Sequence, residues 1–516
     1  MKTSVTFLAL FLFTITQAQR VQYSPPEAGY KAYASYNIIG HVGDHNLIFI
    51  KGKETAEIAV YDNAMQKLAS VPANILKFTA NKVDFFAYPD HFLAFFQYRT
   101  NNTLFCSVFK GDADGHVVEG PVVLDSIPYA GNFKKRYPSD IVLRSEDQQR
   151  YMLVKALHGE NGEYHISTVL YDRDLEIQER SACTFTPPPN FSEYSEFILD
   201  NDGDLAFIST GRDDEGERVR QANLLIKPRG ADSLFSKALT GPGMEFEDLK
   251  IKADNANHRY ILTSFYYAKG EKSLTGLCAL IWNKPEKNLS GPQLYPLPQN
   301  IRTEATKDFS SPSQILDYYY QRQILVRADG EFMVFAELFY ETSVLSTMRW
   351  RRDDFIRGKR DTIFAPPKGF IAYQAREHPG YWSVTPATPN EQDGYKGFNR
   401  STENVLVFFL DKTGATNAVK VIRKDEFNSL VLFPLSYQTF ITRQDIHLIY
   451  NEQVKGSYLP AITTIRADGT MEQGQLLHDL DKGYLFLPQY GRQVGPNTMI
   501  IPCVIKGALH FARIEF

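Results

Sequence analysis

Eight times along this chain an apolar run is followed by a short turn rich in Asp, Asn or Gly, and then by a second, more strongly apolar run. The copies are IIGHVGDHNLIFI (38–50), FFAYPDHFLAFF (85–96), IVLRSEDQQRYMLV (141–154), FILDNDGDLAFI (197–208), LKIKADNANHRYILTSF (249–265), ILVRADGEFMVF (324–335), FITRQDIHLIY (440–450) and YGRQVGPNTMII (490–501). Asp, Asn and Gly supply the positive-φ or self-bonding positions of tight hairpins, and the flanks carry the β-branched and aromatic residues of strands. A second hairpin follows most copies, as in AVYDNAMQKLAS (59–70), SVFKGDADGHVVEG (107–120), VLYDRDLEIQER (169–180), FFLDKTGATNAVKV (408–421) and TTIRADGTMEQG (463–474). The unit is therefore four strands, A to D, and most copies recur about every fifty residues.

A lone four-stranded meander of this kind has two apolar faces and cannot bury both. Stacking such meanders face to face around an axis buries them and leaves only short outer edges exposed. The expected fold is all-β: a single β-propeller of about eight four-stranded blades, with seven the alternative count. Composition agrees, with 13% aromatic residues (36 Phe and 29 Tyr) for strands and 43% hydrophobic residues for a sizeable core. After the eighth A–B hairpin comes one more strand, ALHFARIEF (508–516), while residues 20–34 precede the first A strand with no blade of their own. Part of 20–30 is expected to supply the missing outer strand and close the ring.

Residues 1–18 read as a secretory leader, with Lys2 as its positive end, Val5 to Ile15 as its apolar stretch and Thr16-Gln17-Ala18 as a small-x-small cleavage site. The propeller then occupies 19–516, and no later run is long and apolar enough for a membrane-spanning helix. A periplasmic or extracellular monomer is expected. A formal charge of −4 gives no general attraction to nucleic acid. Cys106, Cys183, Cys278 and Cys503 are scattered in apolar runs without C-x-x-C spacing. They read as buried thiols, with a Cys106–Cys183 bridge as the alternative.

One gap between turns, about 115 residues, exceeds the rest. It places an insertion at 344–402 in the B–C loop of the sixth blade, and loops that long are a frequent home of function. It holds RWRRDDFIRGKR (349–360) and the aromatics Trp350, Tyr373, Tyr381, Trp382, Tyr395 and Phe398. B–C and D–A loops emerge on one face of a propeller, and the D–A loop at 126–140 adds Lys134, Lys135 and Arg136. These nine residues are the candidate ligand-binding set, with a cap that plugs the channel as the structural alternative.

Catalytic signatures are missing: there is no Gly-rich phosphate loop, H-E-x-x-H or G-x-S-x-G. The acids of DNDGD (200–204) and Asp112–Asp114 suit calcium in type but not in register, so they read as turn residues. His41 and His45 flank the first turn without a third ligand. No metal or cofactor is expected. The blade pattern, with turns such as VRADGEF, FLDKTGA and IRADGT, resembles exported bacterial β-propellers of unassigned function, in which a Tyr-rich insertion similarly splits one blade. That resemblance implies fold and export and carries over no catalytic residue. Two functions follow as expectations: a non-catalytic module that binds protein or glycan through the loop-rich face, or a polysaccharide hydrolase or lyase with carboxylates at the channel mouth.

Overall fold

The computed structural model describes residues 20–27, 35–52, 55–76, 83–101, 103–128, 140–158, 163–186, 191–212, 218–239, 244–271, 273–307, 316–343, 349–350, 398–428, 436–454, 457–477 and 484–516. These fold into eight consecutive antiparallel meanders. Blade 1 runs Ser35–Val42, His45–Lys51, Ala56–Tyr61 and Lys67–Pro72. Blade 2 is Val83–Ala87, Phe92–Thr100, Thr103–Gly111 and Val117–Pro128, and blade 3 is Asp140–Arg144, Arg150–His158, Tyr164–Asp172 and Ile177–Phe185. Blade 4 comprises Phe191–Leu199, Leu205–Arg212, Val219–Lys227 and Phe235–Ala238. Blade 5 comprises Glu245–Asp254, Arg259–Tyr267, Gly276–Asn283 and Asn288–Pro296. Blade 6 is Tyr319–Val326, Phe332–Ser343, Phe398–Leu410 and Thr416–Asn428, and blade 7 is Gln438–Ile441, Ile446–Val454, Ser457–Ile465 and Met471–Gln475. In blade 8 the short strands Tyr484–Phe486 and Arg492–Gly495 share the A position beside Thr498–Ile505, followed by Ala508–Glu515. Blades 4 and 5 join into one hydrogen-bonded sheet through a single bridge, Val219 to Phe246.

Strand period two explains why the B and C strands are almost wholly apolar: alternate residues serve opposite neighbours. In blade 1, Leu47 and Phe49 pack on Val83, Phe85 and Phe92 of blade 2, whereas Ile48 and Ile50 pack on Ile500, Leu509 and Phe511 of blade 8. In blade 6, Val334 and Ala336 face Ile261 and Phe265 of blade 5, while Met333 and Phe335 face Leu448 and Tyr450 of blade 7. Similar clusters fill the remaining junctions between successive blades. A fully buried Ile or Phe contributes roughly 1.5–3 kcal/mol, so these junctions carry most of the fold's stability.

The turns follow their leading aspartates. In blades 1, 2, 3 and 6, Asp62, Asp112, Asp172 and Asp411 each accept through Oδ1 the backbone N–H groups two and four residues on, at 2.7–3.0 Å. Asp200 does the same for Asp202, Gly203 and Asp204, and Gly203 takes the left-handed φ of +98° that the turn requires. Lys284 answers the other oxygens of DNDGD, with Nζ bonded to Asp200 and lying 2.7 Å from Asp202 Oδ2 and 3.1 Å from Asp204 Oδ2. Turn chemistry and an internal ammonium thus account for these acids, and no group of three or more metal-ligating side chains occurs among the described residues. All four cysteines are buried free thiols, which removes the Cys106–Cys183 alternative.

The amino-terminal strand Arg20–Tyr23 pairs antiparallel with Ala508–Glu515, Arg20 opposite Glu515 and Tyr23 opposite Ala512. Immediately after it, Ser24 N–H donates to Phe511 O at 2.8 Å and Glu27 N–H to Leu509 O at 2.9 Å. The buried Glu27 carboxylate then accepts from Tyr61 and, at 2.6 Å, from Lys67, both in blade 1. One short segment is therefore bonded to blade 8 through its backbone and to blade 1 through a side chain.

If this segment holds the ring shut, Glu27→Ala should lower stability by about 1–3 kcal/mol, because it removes the acceptor of the buried Tyr61 hydroxyl and leaves Lys67 with Glu57 alone, at 3.3 Å. Urea melts followed by far-ultraviolet circular dichroism measure it, and an unchanged midpoint would refute the clasp. In blade 6, Ser343 pairs with Phe398, so strand C starts at 398 rather than at the 403 that an insertion ending at 402 implies. Since those two strand ends already face each other, replacing 344–397 with a short turn is expected to preserve a cooperative melt.

Candidate functional site

The innermost strand of a blade has no neighbouring strand on its axial side, so its side chains meet at the channel. Five of these strands carry a register break, at Ile38/Gly40, Ser195/Ile198, Glu247/Lys250, Gln321/Gln323 and Gln493/Gly495. A bulge bends the strand and re-aims the side chain it carries. In blades 4 and 5 the bulged residues are Glu196 and Asp248, held at φ of +59° and +54°, a region that non-glycine residues seldom occupy.

Around these bulges runs a belt of buried charge. Lys250 Nζ donates to Glu196 Oε1 at 2.8 Å and lies 3.8 Å from Asp248 Oδ1. Glu196 is 1% exposed, and its Oε2 has no hydrogen-bond partner among the described residues. Asp248 also accepts the backbone N–H of Gln321, which ties blade 5 to blade 6. The next residue, Arg322, places Nε 3.5 Å from Glu337 Oε2, which also accepts from Ser436. Lys424, wholly buried, lies 2.9 Å from Glu337 Oε1 and 2.7 Å from Glu426 Oε2. Glu426 accepts in turn from Thr402 and from the backbone of Asn451 in blade 7. Burial alone would lower the Lys424 pKa, but Glu337 and Glu426 outweigh it and hold the ammonium above the ordinary lysine value.

Toward the end of the axis where the A–B turns lie, the innermost strands of blades 2 to 6 enclose a cavity of about 310 Å³. Phe86, Val142, Phe197, Ile198 and Ile324 supply apolar wall; Arg144, Lys250, Lys252, Arg322 and Glu146 supply charge. Four cations thus face one carboxylate. Lys252 and Asn255 both bind that Glu146, at 3.2 and 2.7 Å. The carboxylates that balance Lys250 and Arg322 stand behind them, outside the wall. Arg144 differs: its guanidinium lies 4.7 Å over the Phe86 ring, half-buried, and no carboxylate pairs with it among the described residues. On the blade 8 side, the turn Pro488–Tyr490 brings Leu487 and Tyr490 against Tyr36 and Ile38.

Of the nine residues nominated from sequence, Tyr373, Tyr381, Trp382, Tyr395, Lys134, Lys135 and Arg136 lie outside the described residues. Trp350 belongs to the two-residue strand Arg349–Trp350, opposite Glu341, and Phe398 opens the third strand of blade 6, opposite Ser343. The strand of Trp350 continues the inner lane of blade 6, since Tyr319–Val326 pairs with the same neighbour strand from Phe332 to Leu338. The cavity therefore lies at the opposite end of the axis from the loops. Its residues left a trace in sequence: EFEDLKIKAD (245–254) and YYQRQILV (319–326) place ions inside strands that the repeat makes innermost.

No known protein family matches the chain, and no curated protein matches it either. Among solved structures it is similar to an ulvan lyase described as a new family of polysaccharide lyase, at 8% identity and a TM-score of 0.37, covering 84% of this chain and 94% of that one. It is similar also to a Penicillium chrysogenum α-L-arabinanase complexed with arabinobiose, at 9% identity and 0.31, covering 62% and 93%. A third is a Synechocystis apocarotenoid oxygenase mutant, at 8% and 0.33, covering 76% and 75%. All are propeller-type folds.

Lys424→Met leaves Glu426 buried without its cation, and Glu337 with Arg322 alone, and should cost about 3–5 kcal/mol. Because the folded pKa of Lys424 is raised, its contribution is complete below the ordinary lysine value, about 10.5, and is lost only as pH rises through the higher folded value. Urea melts of both proteins should therefore differ by the same amount at about pH 8 and pH 9.5, with the gap closing only in stronger alkali. A gap that closes between those two pH values would contradict the assignment.

Proposed function

We propose that the protein is an exported binding propeller whose axial cavity receives a small carboxylated ligand, an acidic sugar residue of a glycan being the class that fits. Arg144 carries the reading. It is a half-buried guanidinium at the cavity wall, steadied over Phe86 and lacking a carboxylate partner among the described residues. Arginine suits a planar carboxylate because it offers two parallel donors, and each such charge-assisted bond contributes about 1.5–3 kcal/mol. Lys250 and Arg322 add positive charge from the facing strands, and the carboxylates behind them keep both in place. Val142 and Ile198, both half-buried in the cavity wall, offer the sugar ring apolar surface. About 310 Å³ is near the lower bound for ligand pockets and accommodates one such unit. Export rests on the leader-like residues 1–18 and agrees with a glycan ligand.

Calorimetric titration of the protein from residue 19 with galacturonic acid and with neutral galactose tests the reading. Galacturonate should bind the more tightly, and Arg144→Ala should weaken it about tenfold or more without shifting the melting temperature. Equal binding of the two sugars, or an unaffected Arg144→Ala, would overturn it.

A polysaccharide-cleaving enzyme is the second reading, and one observation favours it. Glu196 and Asp248 share a single ammonium at 2.8 and 3.8 Å, so the two carboxylates stand close together, as the paired carboxylates of glycosidases do. Their burial, 1% and 8% exposed, sets them behind Lys250 rather than open to substrate. Release of reducing ends from an acidic polysaccharide, abolished by Glu196→Gln, would decide for the enzyme.

A further inference from the structure

We infer that the ligand is a linear acidic oligosaccharide rather than a single unit, with one acidic residue at the axis and the adjoining units in the groove between blades 6 and 7. This rests on the axial reading above and extends it outward.

Two hollows open toward the same end of the propeller. The second, about 500 Å³, is walled by the A–B turns of blades 6 and 7, the C–D turn of blade 7 and the strand ends beside them. Leu325 stands in the wall of both, so the axial cavity and the groove are neighbours across one half-buried side chain. A ligand of one unit fills the first and leaves the second; a chain occupies both.

The groove has the character that a sugar chain requires. Its floor is apolar, with Phe409 and Ile446 only partly buried and Ile441 41% exposed. Its rim carries planar polar donors in fixed positions. Arg327 is held by Asp329 at 3.1 Å and Glu331 at 3.4 Å and donates to Ala467 O at 3.0 Å, while Arg466 is held by Glu472 at 2.8 Å. Arg443 is exposed and has no ion-pair partner among the described residues. A glycan presents ring faces to such a floor and hydroxyl or carboxylate edges to such a rim. Arg443, exposed where Arg144 is half-buried, is like it without an ion-pair partner among the described residues although Asp445 lines the same groove, and a polymer with a carboxylate on each unit offers a partner to both.

The test is a calorimetric series with galacturonic acid and its α-1,4-linked dimer, trimer and tetramer, with tetraglutamate as a peptide of equal charge. Affinity is expected to rise about tenfold from monomer to trimer. Leu325→Trp, which narrows the junction, and Arg443→Ala, on the exposed rim, should each bring the trimer's affinity back toward the monomer's. Arg443 lies at the surface, so its variant keeps the test intact if Leu325→Trp fails to fold. Binding that does not depend on length, or a length gain that survives Arg443→Ala, overturns this inference alone. Tetraglutamate binding as tightly as tetragalacturonate overturns the saccharide class. Failure of every saccharide to bind overturns the axial reading, and this inference with it.

Discussion

The fold depends on one constraint: each four-stranded meander is apolar on both faces, so neither face tolerates water. Blade 1 shows it in two consecutive residues, Leu47 turned toward blade 2 and Ile48 toward blade 8. A two-layer sandwich buries one face of each sheet and leaves the other wet. Radial stacking buries both, and apolar clusters occupy the junctions between successive meanders, including one between blade 8 and blade 1. Much else follows: tight turns at one end, longer connections at the other, and an axis where the inner strands have no partner.

That axis is where polar chemistry can gather, because the innermost edges cannot be covered by another sheet. Ions placed there lose much of their hydration, which is costly unless partners replace the water. The belt from Glu196 through Lys250, Asp248, Arg322, Glu337 and Lys424 to Glu426 meets that condition by alternating sign. Its bulges at Glu196 and Asp248 place non-glycine residues in left-handed backbone, an arrangement that costs energy and persists only when the surroundings over-determine it. Stability alone does not call for such residues in an otherwise apolar strand. Their position beside a cation-walled cavity is one of the grounds for the proposed binding role.

How much was legible in the sequence follows from the range of each signal. Turns are local: an aspartate that accepts from its own backbone two and four residues on announces itself in five letters, as in FLDKTGA, and the recurrence of short Asp-, Asn- or Gly-rich turns between apolar runs made the blade pattern and the outer strand at Arg20–Tyr23 legible. The buried thiols and the turn role of DNDGD were legible for the same reason, although Lys284, some eighty residues away, was not. The cavity was hidden because its members come from five blades, and only the fold brings Phe86, Arg144, Lys250 and Arg322 to one wall. The long insertion, by contrast, is one continuous run and shows in the sequence by its length alone. Ions inside EFEDLKIKAD were the available clue, and a repeat that assigns those residues to the innermost lane gives that clue its meaning.

The most direct measurement is a crystal structure of the protein soaked with galacturonate. The account predicts electron density for the sugar within the axial cavity at the end bearing the A–B turns, its carboxylate within hydrogen-bond distance of Arg144 and its ring against Val142 and Ile198. Density at the loop-bearing end, or a sugar held away from the axis altogether, would contradict it.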